Sequence, residues 1–268
     1  MLYIVATPIG NLEDITLRAL RVLKEADYIA AEDTRHTRKL LNAYDIKTRC
    51  VSFHEHSNEE KRTFILNELK EGRDIALVSD AGTPLISDPG AILVREAIEQ
   101  GLPVTSVPGP CAAVTAVTLS GIGGPFCFLG FLSKKSGDRK KQIELLKGFA
   151  MPAVIYESPH ALHETLCAML ELLGGGRHIV VAKELTKLHE RVFSGTLEEA
   201  VREFGGDVKG EYVLVLDGAE ETREEASDSD IEKEIETLLA AGMTKKDAAK
   251  AASEKFGISK NRAYRLSL

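Results

Sequence analysis

At 268 residues, with 44% hydrophobic and 28% charged side chains, the chain is long enough for one large α/β domain or two packed units, and its composition excludes a disordered or fibrous protein. The start, MLYIVATPIGNLED, has neither a basic lead-in nor a long apolar run, so no signal peptide and no membrane span is expected and the chain reads as cytoplasmic. A net charge of −7 gives no average support to nucleic-acid binding, and Cys50, Cys111, Cys127 and Cys167 are too scattered for a redox or zinc motif, so no metal is expected.

Leu2–Val5 is a short apolar run halted by Thr7, Pro8 and Gly10, and Ile15–Ala26 then carries Leu17, Leu20 and Leu23 at helical spacing. This predicts strand, glycine loop, helix. The alternation recurs, with strands at Tyr28–Ala31, Cys50–Phe53, Ile75–Val78 and Val104–Val107 and helices at Arg35–Asn42, Glu59–Glu71 and Ala91–Gln100. Such alternation predicts a parallel, helix-covered sheet. A small-residue helix follows at Ala112–Ser120, and the glycine-rich stretch Gly121–Gly124 offers a domain junction. Beyond it, strands at Phe126–Phe131, Ala153–Tyr156, His178–Ala182, Arg191–Ser194 and Tyr212–Leu216, with helices at Asp138–Lys147, Pro159–Leu173 and Leu197–Phe204, predict a second, mixed sheet.

The last part of the chain sorts its charge. From Asp217 to Glu236 ten carboxylates face only Arg223 and Lys233, which reads as a solvated linker. From Met243 onward seven cations face Asp247 and Glu254. Within that tail Lys245–Phe256 is helical, Gly257 is a turn and Ser259 caps a second helix through Tyr264, a pattern resembling a helix-turn-helix. The expected organisation is an α/β domain over 1–112, a second over 113–217, an acidic linker over 218–240 and a basic helical tail over 241–268.

Three loops carry the chemistry. Ser79-Asp80-Ala81-Gly82-Thr83-Pro84, continuing to Ser87-Asp88-Pro89-Gly90, follows the strand Ile75–Val78, at the carboxyl edge where open α/β sheets bind ligands. Thr7-Pro8-Ile9-Gly10-Asn11 and Val107-Pro108-Gly109-Pro110-Cys111-Ala112 sit in the same position after their strands. Glycines and a carboxylate let backbone amides converge on a polar small molecule. Neither a G-x-G-x-x-G fingerprint nor a phosphate loop occurs, which removes the main warrant for nicotinamide or nucleoside triphosphate chemistry.

Taken together and in this order, the three loops resemble those of the tetrapyrrole methylase family. ATPIGNLEDIT, AEDTRHTRKLL, SFHEHSN, LVSDAGTPLISDPG, VPGPCA, YESPH, KELTKLHE and EYVLVL resemble most closely its members that methylate ribosomal RNA. Porphyrin-modifying relatives carry a Gly-x-Gly-Pro-Gly type loop where this chain has Thr7-Pro8-Ile9-Gly10, and Ala161 stands after YESPH where that resemblance leads one to expect arginine.

The resemblance implies two α/β domains with S-adenosylmethionine in the cleft between them. It assigns Pro8, Gly10, Asp80, Gly82, Thr83, Ser87, Cys111 and Ala112 to the donor from the first domain, and Tyr156, Tyr212 and Val213 from the second. Asp80 reads equally as a turn or capping residue, and the two tyrosines as core aromatics. The resemblance further implies methylation of a cytidine ribose 2′-hydroxyl in the decoding region of small-subunit (16S) ribosomal RNA, an assembled subunit as substrate, and a homodimer.

A ribose hydroxyl is a very weak acid, so a positioned base is useful. Glu32, Asp33, His54, His56, Glu157 and Lys183 all follow strands and are candidates. Each has another reading: Asp33 as a helix cap, His54 as a solvated loop residue, Lys183 as an ion-pair partner near Glu184. Arg35, His36, Arg38 and Lys39 form a basic cluster suited to phosphate contacts, as do Lys245, Lys246, Lys260 and Arg262 in the tail. Phe128 and Phe131 read either as base-stacking or as core residues. The rival functions are a tetrapyrrole methylase acting on a corrin or porphyrin precursor, and a non-catalytic ribosome assembly factor, in which the Asp80-Ala81-Gly82 segment should be broken; it is intact.

Overall fold

Five short apolar strands, β1 (Leu2–Val5), β2 (Tyr28–Ala31), β3 (Cys50–Ser52), β4 (Ile75–Val78) and β5 (Val104–Val107), form an all-parallel sheet in the order β3-β2-β4-β1-β5. The computed structural model describes residues 1–54, 59–87, 90–206, 209–219 and 227–267; of the expected site segments, His56, Asp88 and Pro89 lie outside these. Side chains alternate across the sheet. On one face α1 (Leu17–Glu25) and α2 (Thr34–Ala43) pack Val22, Leu23, Leu40 and Leu41 on Val5, Ile29, Ala31 and Val78. On the other, α3 (Glu59–Lys70) and α4 (Ala91–Glu99) pack Leu66, Leu69, Leu93 and Ala97 on Leu2, Ala30, Ile75 and Leu77. The connection from β1 runs toward β2 and that from β4 runs toward β5, so these neighbouring strands send their chains to opposite faces. A crevice opens at their carboxyl ends.

A second sheet follows, ordered β6-β7-β10-β8-β9, from β6 (Cys127–Phe131), β7 (Ala153–Glu157), β8 (His178–Lys183), β9 (Arg191–Thr196) and β10 (Tyr212–Leu216); only β6 and β7 pair in parallel. The helix α5 (Ala112–Ser120) lies on one face, where Ala113 and Ala116 meet Val154, Val180, Val213 and Val215, joined by Ile9 from the first loop. The helices α6 (Ser136–Glu144), α7 (Pro159–Leu173) and α8 (Leu197–Glu203) cover the other, with Ile143, Leu166, Met169 and Ala200 on Ile155, Val181 and Leu214. The chain therefore passes between sheets before α5, not at the glycine-rich turn after it. Both sheets belong to one compact unit, Met1–Ala219. Among the described residues no helix is long and apolar enough to cross a membrane.

Glu220–Leu268 is a separate unit of three helices, α9 (Asp228–Ala240), α10 (Lys245–Phe256) and α11 (Lys260–Leu266). Ile231, Ile235, Ala248 and Ala252 form its core, with Leu238, Leu239, Phe256, Ile258 and Leu266 packed against it. Over Asp228–Ala240 this corrects the solvated linker expected over 218–240. The carboxylates of α9 other than Glu234, which pairs with Lys255, face outward while Ile231, Ile235, Leu238 and Leu239 recur at i, i+4, i+7 and i+8, an amphipathic stripe that the charge count conceals. Gly257 in the left-handed region (φ +63) joins α10 to α11, and the Ser259 side chain caps α11 at Arg262 N–H.

Candidate active site

Because β4, β1 and β5 are neighbours, the loops that follow them meet, and hydrogen bonds join them. Thr7 N–H donates to Gly82 O (2.8 Å) and Gly82 N–H to Thr7 O (3.0 Å), while Thr83 Oγ1 donates to Pro110 O (3.0 Å). Gly82 has φ +78, and a Cβ there would also meet Ile9 Cγ2 at 3.4 Å. In the same loop Leu85 (φ +73) and Ser87 (φ +67) hold left-handed conformations that cost non-glycine residues on the order of 1 kcal/mol or more each. Such strain persists only where surroundings over-determine it. Here β6 supplies part of that constraint, since a Cβ on Gly130 would stand 2.9 Å from Ser87 Oγ.

A cavity of about 330 Å³ opens between these loops and the second sheet, within the range of small-molecule sites. Asp80, Gly82, Thr83, Ser87, Cys111, Ala112, Tyr156, Tyr212 and Val213 border it, as the sequence leads one to expect; Pro8 and Gly10 do not. Their neighbour Ile9 does. Gly10 instead admits the loop after β8: a Cβ on it would lie 2.5 Å from Lys187 Cγ, 2.6 Å from Thr186 Oγ1 and 2.8 Å from Leu185 O. That loop brings Leu185 to the cleft, and Lys187 Nζ ties it to Glu184 Oε1 (2.9 Å) and to Glu211 Oε2 (2.8 Å) at the rim. Ile9, Ile86, Phe131, Leu185 and Glu211 are wall residues that the sequence reading leaves unassigned to the donor site; the KELTKLHE and EYVLVL segments are the signals that point toward the last two.

The tyrosines divide. Tyr156 Oη accepts a hydrogen bond from Ala113 N–H (3.1 Å) in the first turn of α5, and its ring meets those of Phe128 (4.9 Å) and Phe131 (5.6 Å) edge-on. Phe131 is 56% exposed, so of the two phenylalanines it is Phe128 that packs in the core. The Tyr212 ring is itself a core group, buried against Phe204, with Oη donating to Lys209 O (3.0 Å) and a phenol pKa raised by burial and by Glu184. Asp80 Oδ1 accepts from Asp33 N–H (2.9 Å), so the cleft loop also fixes the entry to α2. Its other oxygen has no hydrogen-bond partner among the described residues.

Of the candidate bases among the described residues, only Glu157 borders the cavity. It is buried, and both its oxygens accept hydrogen bonds, from Ser158 N–H (2.7 Å) and Thr165 Oγ1 (2.6 Å), which secures the start of α7. Asp33 caps α2 through Arg35 N–H (2.8 Å), and the Arg35 guanidinium, followed by that backbone hydrogen bond, brings its pKa down to about 2. Lys183 Nζ lies over the Tyr212 ring, 5.9 Å from its centroid. His54 is exposed just beyond β3, and Glu32 is half-buried just beyond β2.

Arg35, His36, Arg38 and Lys39 all lie on the exposed face of α2, whose other face buries Thr37, Leu40 and Leu41. Arg35 is ion-paired with Asp33 (2.8 Å). Lys245, Lys246 and Lys260 are exposed on α10 and α11, whereas Arg262 is half-buried and bonded to Asp228.

A helix-covered parallel sheet joined to a mixed sheet, with a cleft of small-molecule size at strand ends between them, defines an α/β ligand-binding scaffold of two sheets. Residues 1–201 match the Tetrapyrrole (Corrin/Porphyrin) Methylases, and the chain belongs to that family. It is 47% identical to Ribosomal RNA small subunit methyltransferase I of Halalkalibacterium halodurans over 99% of this chain and 93% of that protein. Proteins of the same name from Bacillus subtilis (45%, 98% and 92%) and Escherichia coli O157:H7 (44%, 100% and 94%) are similar over the same extent. The fold resembles that of the methyltransferase CobJ, with TM-score 0.62 and 20% identity over 81% of this chain and 94% of that one. It also resembles diphthine synthase, with TM-score 0.58 and 14% identity over 81% and 89%.

Proposed function

We propose that this chain is an S-adenosylmethionine-dependent methyltransferase of small-subunit ribosomal RNA, acting on a cytidine ribose 2′-hydroxyl in the decoding region. The observation that carries the reading is the cleft itself: three loops bonded into one wall, facing a second sheet, in a chain similar along its whole length to ribosomal RNA methyltransferases. That similarity favours RNA over a corrin or porphyrin acceptor.

The residues present fit the donor. Asp80 offers an oxygen without a partner, Ser87 offers a hydroxyl and Thr83 a hydroxyl oxygen that can still accept, and α5 follows Cys111 with no side-chain cap, leaving the Ala112 amide beside the Ala113 amide that Tyr156 occupies. Ile9, Ile86, Leu185 and Val213 supply apolar wall for the rest of the molecule. When bound, the donor supplies a methyl group already activated on a sulfonium. The chain then has to orient and exclude water: Tyr156 is fixed on α5 through Ala113, and the Lys187 ion pairs steady the loop after β8 that packs against Gly10 of the first wall. Alignment of acceptor and donor is the main contribution such a site makes, with reacting atoms brought to roughly 3–3.5 Å. The exposed Arg38 and Lys39 of α2 and Lys245, Lys246 and Lys260 of the terminal unit are the phosphate contacts of this reading.

The test is methyl transfer from labelled S-adenosylmethionine to unmethylated small ribosomal subunits, with ribose methylation read as resistance to alkaline cleavage. Label at one cleavage-resistant cytidine is expected. Donor binding without labelled RNA would overturn the acceptor.

A further inference from the structure

The helix α11 has two sides. Ala263 is buried and Leu266 packs toward Ile231 and Ile235, while Arg262 donates from Nε (3.1 Å) and Nη2 (2.8 Å) to Asp228 Oδ1 at the start of α9. Arg262, a cation the sequence offers to RNA, thus serves to fix α11 on α9. The opposite side carries Lys260, Asn261, Tyr264 and Arg265, all exposed, with Lys260 and Tyr264 one turn apart and Asn261 and Arg265 one turn apart beside them.

Two observations characterise this face, of which the first is peculiar to it. Tyr264 is 48% exposed on a helix whose aliphatic residues are turned inward. Lys250 pairs with Glu254 (4.0 Å) and Lys255 with Glu234 (2.7 Å), whereas Lys260 and Arg265, like Lys233, Lys245 and Lys246, have no carboxylate partner among the described residues, and of these only Lys260 and Arg265 flank an exposed aromatic ring on their own helix. An aromatic face flanked by unpaired cations and a side-chain amide is the chemistry that takes up an unpaired nucleotide: the ring stacks on the base, the cations meet phosphates, and the amide reads a base edge. A duplex hides its base faces and would use the cations alone.

We propose that Tyr264 is a base-stacking residue and that the Lys260–Asn261–Tyr264–Arg265 face binds an unpaired stretch of RNA. The inference rests on the reading that the acceptor is RNA. The Asp228 clamp and the Ser259 cap hold the face in place before binding, which reduces the ordering cost.

The experiment measures binding of the full chain to a short unstructured oligocytidylate RNA and to a perfectly paired RNA hairpin, across a salt series. Stacking on one base predicts that Tyr264→Ala binds the oligonucleotide about tenfold more weakly at every salt concentration with an unchanged salt slope. Tyr264→Phe keeps the ring and should bind like the parent, and Lys260→Ala should lower the slope of log K against log salt by about 0.7. Thermal melting and S-adenosylmethionine affinity should not move in any of these variants. Wild-type affinity in Tyr264→Ala, equal loss in Tyr264→Phe, or a preference for the hairpin would overturn the proposal. Tyr264-dependent binding by a chain that transfers no methyl to small subunits would leave this face standing and remove the acceptor reading. Methyl transfer with a KM for subunits unchanged in Tyr264→Ala would remove this face alone.

Discussion

The edge that the first sheet presents to the cleft is built from backbone: Thr7 and Gly82 exchange amide hydrogen bonds, Thr83 reaches a carbonyl, and Gly82, Leu85 and Ser87 sit at positive φ. The edge from the second sheet is built from side chains: Tyr156 on Ala113 N–H, Phe131 against Tyr156, and Lys187 between Glu184 and Glu211. A backbone edge depends on which residues can adopt a conformation, so it tolerates few substitutions and leaves a recognisable run of glycine, proline and aspartate. A side-chain edge depends on pairs far apart in sequence, and each pair can be weakened by itself.

The largest expected effect lies where the two edges touch. Gly10→Ala drives a Cβ to 2.8 Å from the Leu185 carbonyl and closer still to the Thr186 and Lys187 side chains. Overpacking against backbone should cost about 1–3 kcal/mol in urea denaturation and weaken S-adenosylmethionine binding as the two walls part. A neutral Gly10→Ala would break the claim that the loop after β8 closes on the first wall. Next comes Asp80→Ala, which leaves Asp33 N–H without its acceptor at a cost of about 1–3 kcal/mol and removes a carboxylate from the cleft. Calorimetry should show donor affinity down by about tenfold or more, in line with a lost charge-assisted hydrogen bond, and Asp80→Asn should recover stability before affinity.

Smaller effects belong to the side-chain edge. Tyr156→Phe keeps the ring but loses the hydrogen bond to Ala113, worth about 0.5–1.5 kcal/mol; its melting temperature should fall less than that of Asp80→Ala. Lys187→Met should lose no more than about 1 kcal/mol, and the loss should shrink in high salt. The smallest concerns pH. With its folded pKa lowered to about 2, the Asp33 carboxylate stabilises α2 above the unfolded carboxylate range near 4 and loses that contribution only as pH falls through 2. Asp33→Asn should therefore leave the pH–rate profile unchanged between neutral and mildly acidic pH. Disappearance of a titration near neutrality in that variant would restore Asp33 as the base.

The same contrast explains what could be read from the sequence. Strands β1, β2, β4, β5 and β10 and helices α5, α7 and α10 match the expected limits residue for residue, because apolar runs of four or five residues and clean helical spacing end at glycine, proline or capping residues. That Asp80, Gly82, Thr83, Ser87, Cys111 and Ala112 of the backbone-built loops border the cleft was legible for the same reason. For Tyr212 the sequence left a cleft and a core reading open: period-two alternation places it and Val213 on opposite faces of β10, and the structure packs its ring on Phe204 while it still borders the cavity beside Val213. Gly10 reads as a ligand loop because its real neighbours, Leu185 to Lys187, lie far along the chain. The helix α9 was hidden by its own carboxylates, and Arg262 by an ion pair to a residue on another helix.

The central claim, that the cleft between the two sheets is the methyl-donor site, is tested most directly by a crystal structure grown with S-adenosylhomocysteine. Density for the whole ligand bordered by Asp80, Thr83, Ala112 and Val213 is the predicted result. Density elsewhere on the chain, with that cleft filled by solvent, would contradict the account.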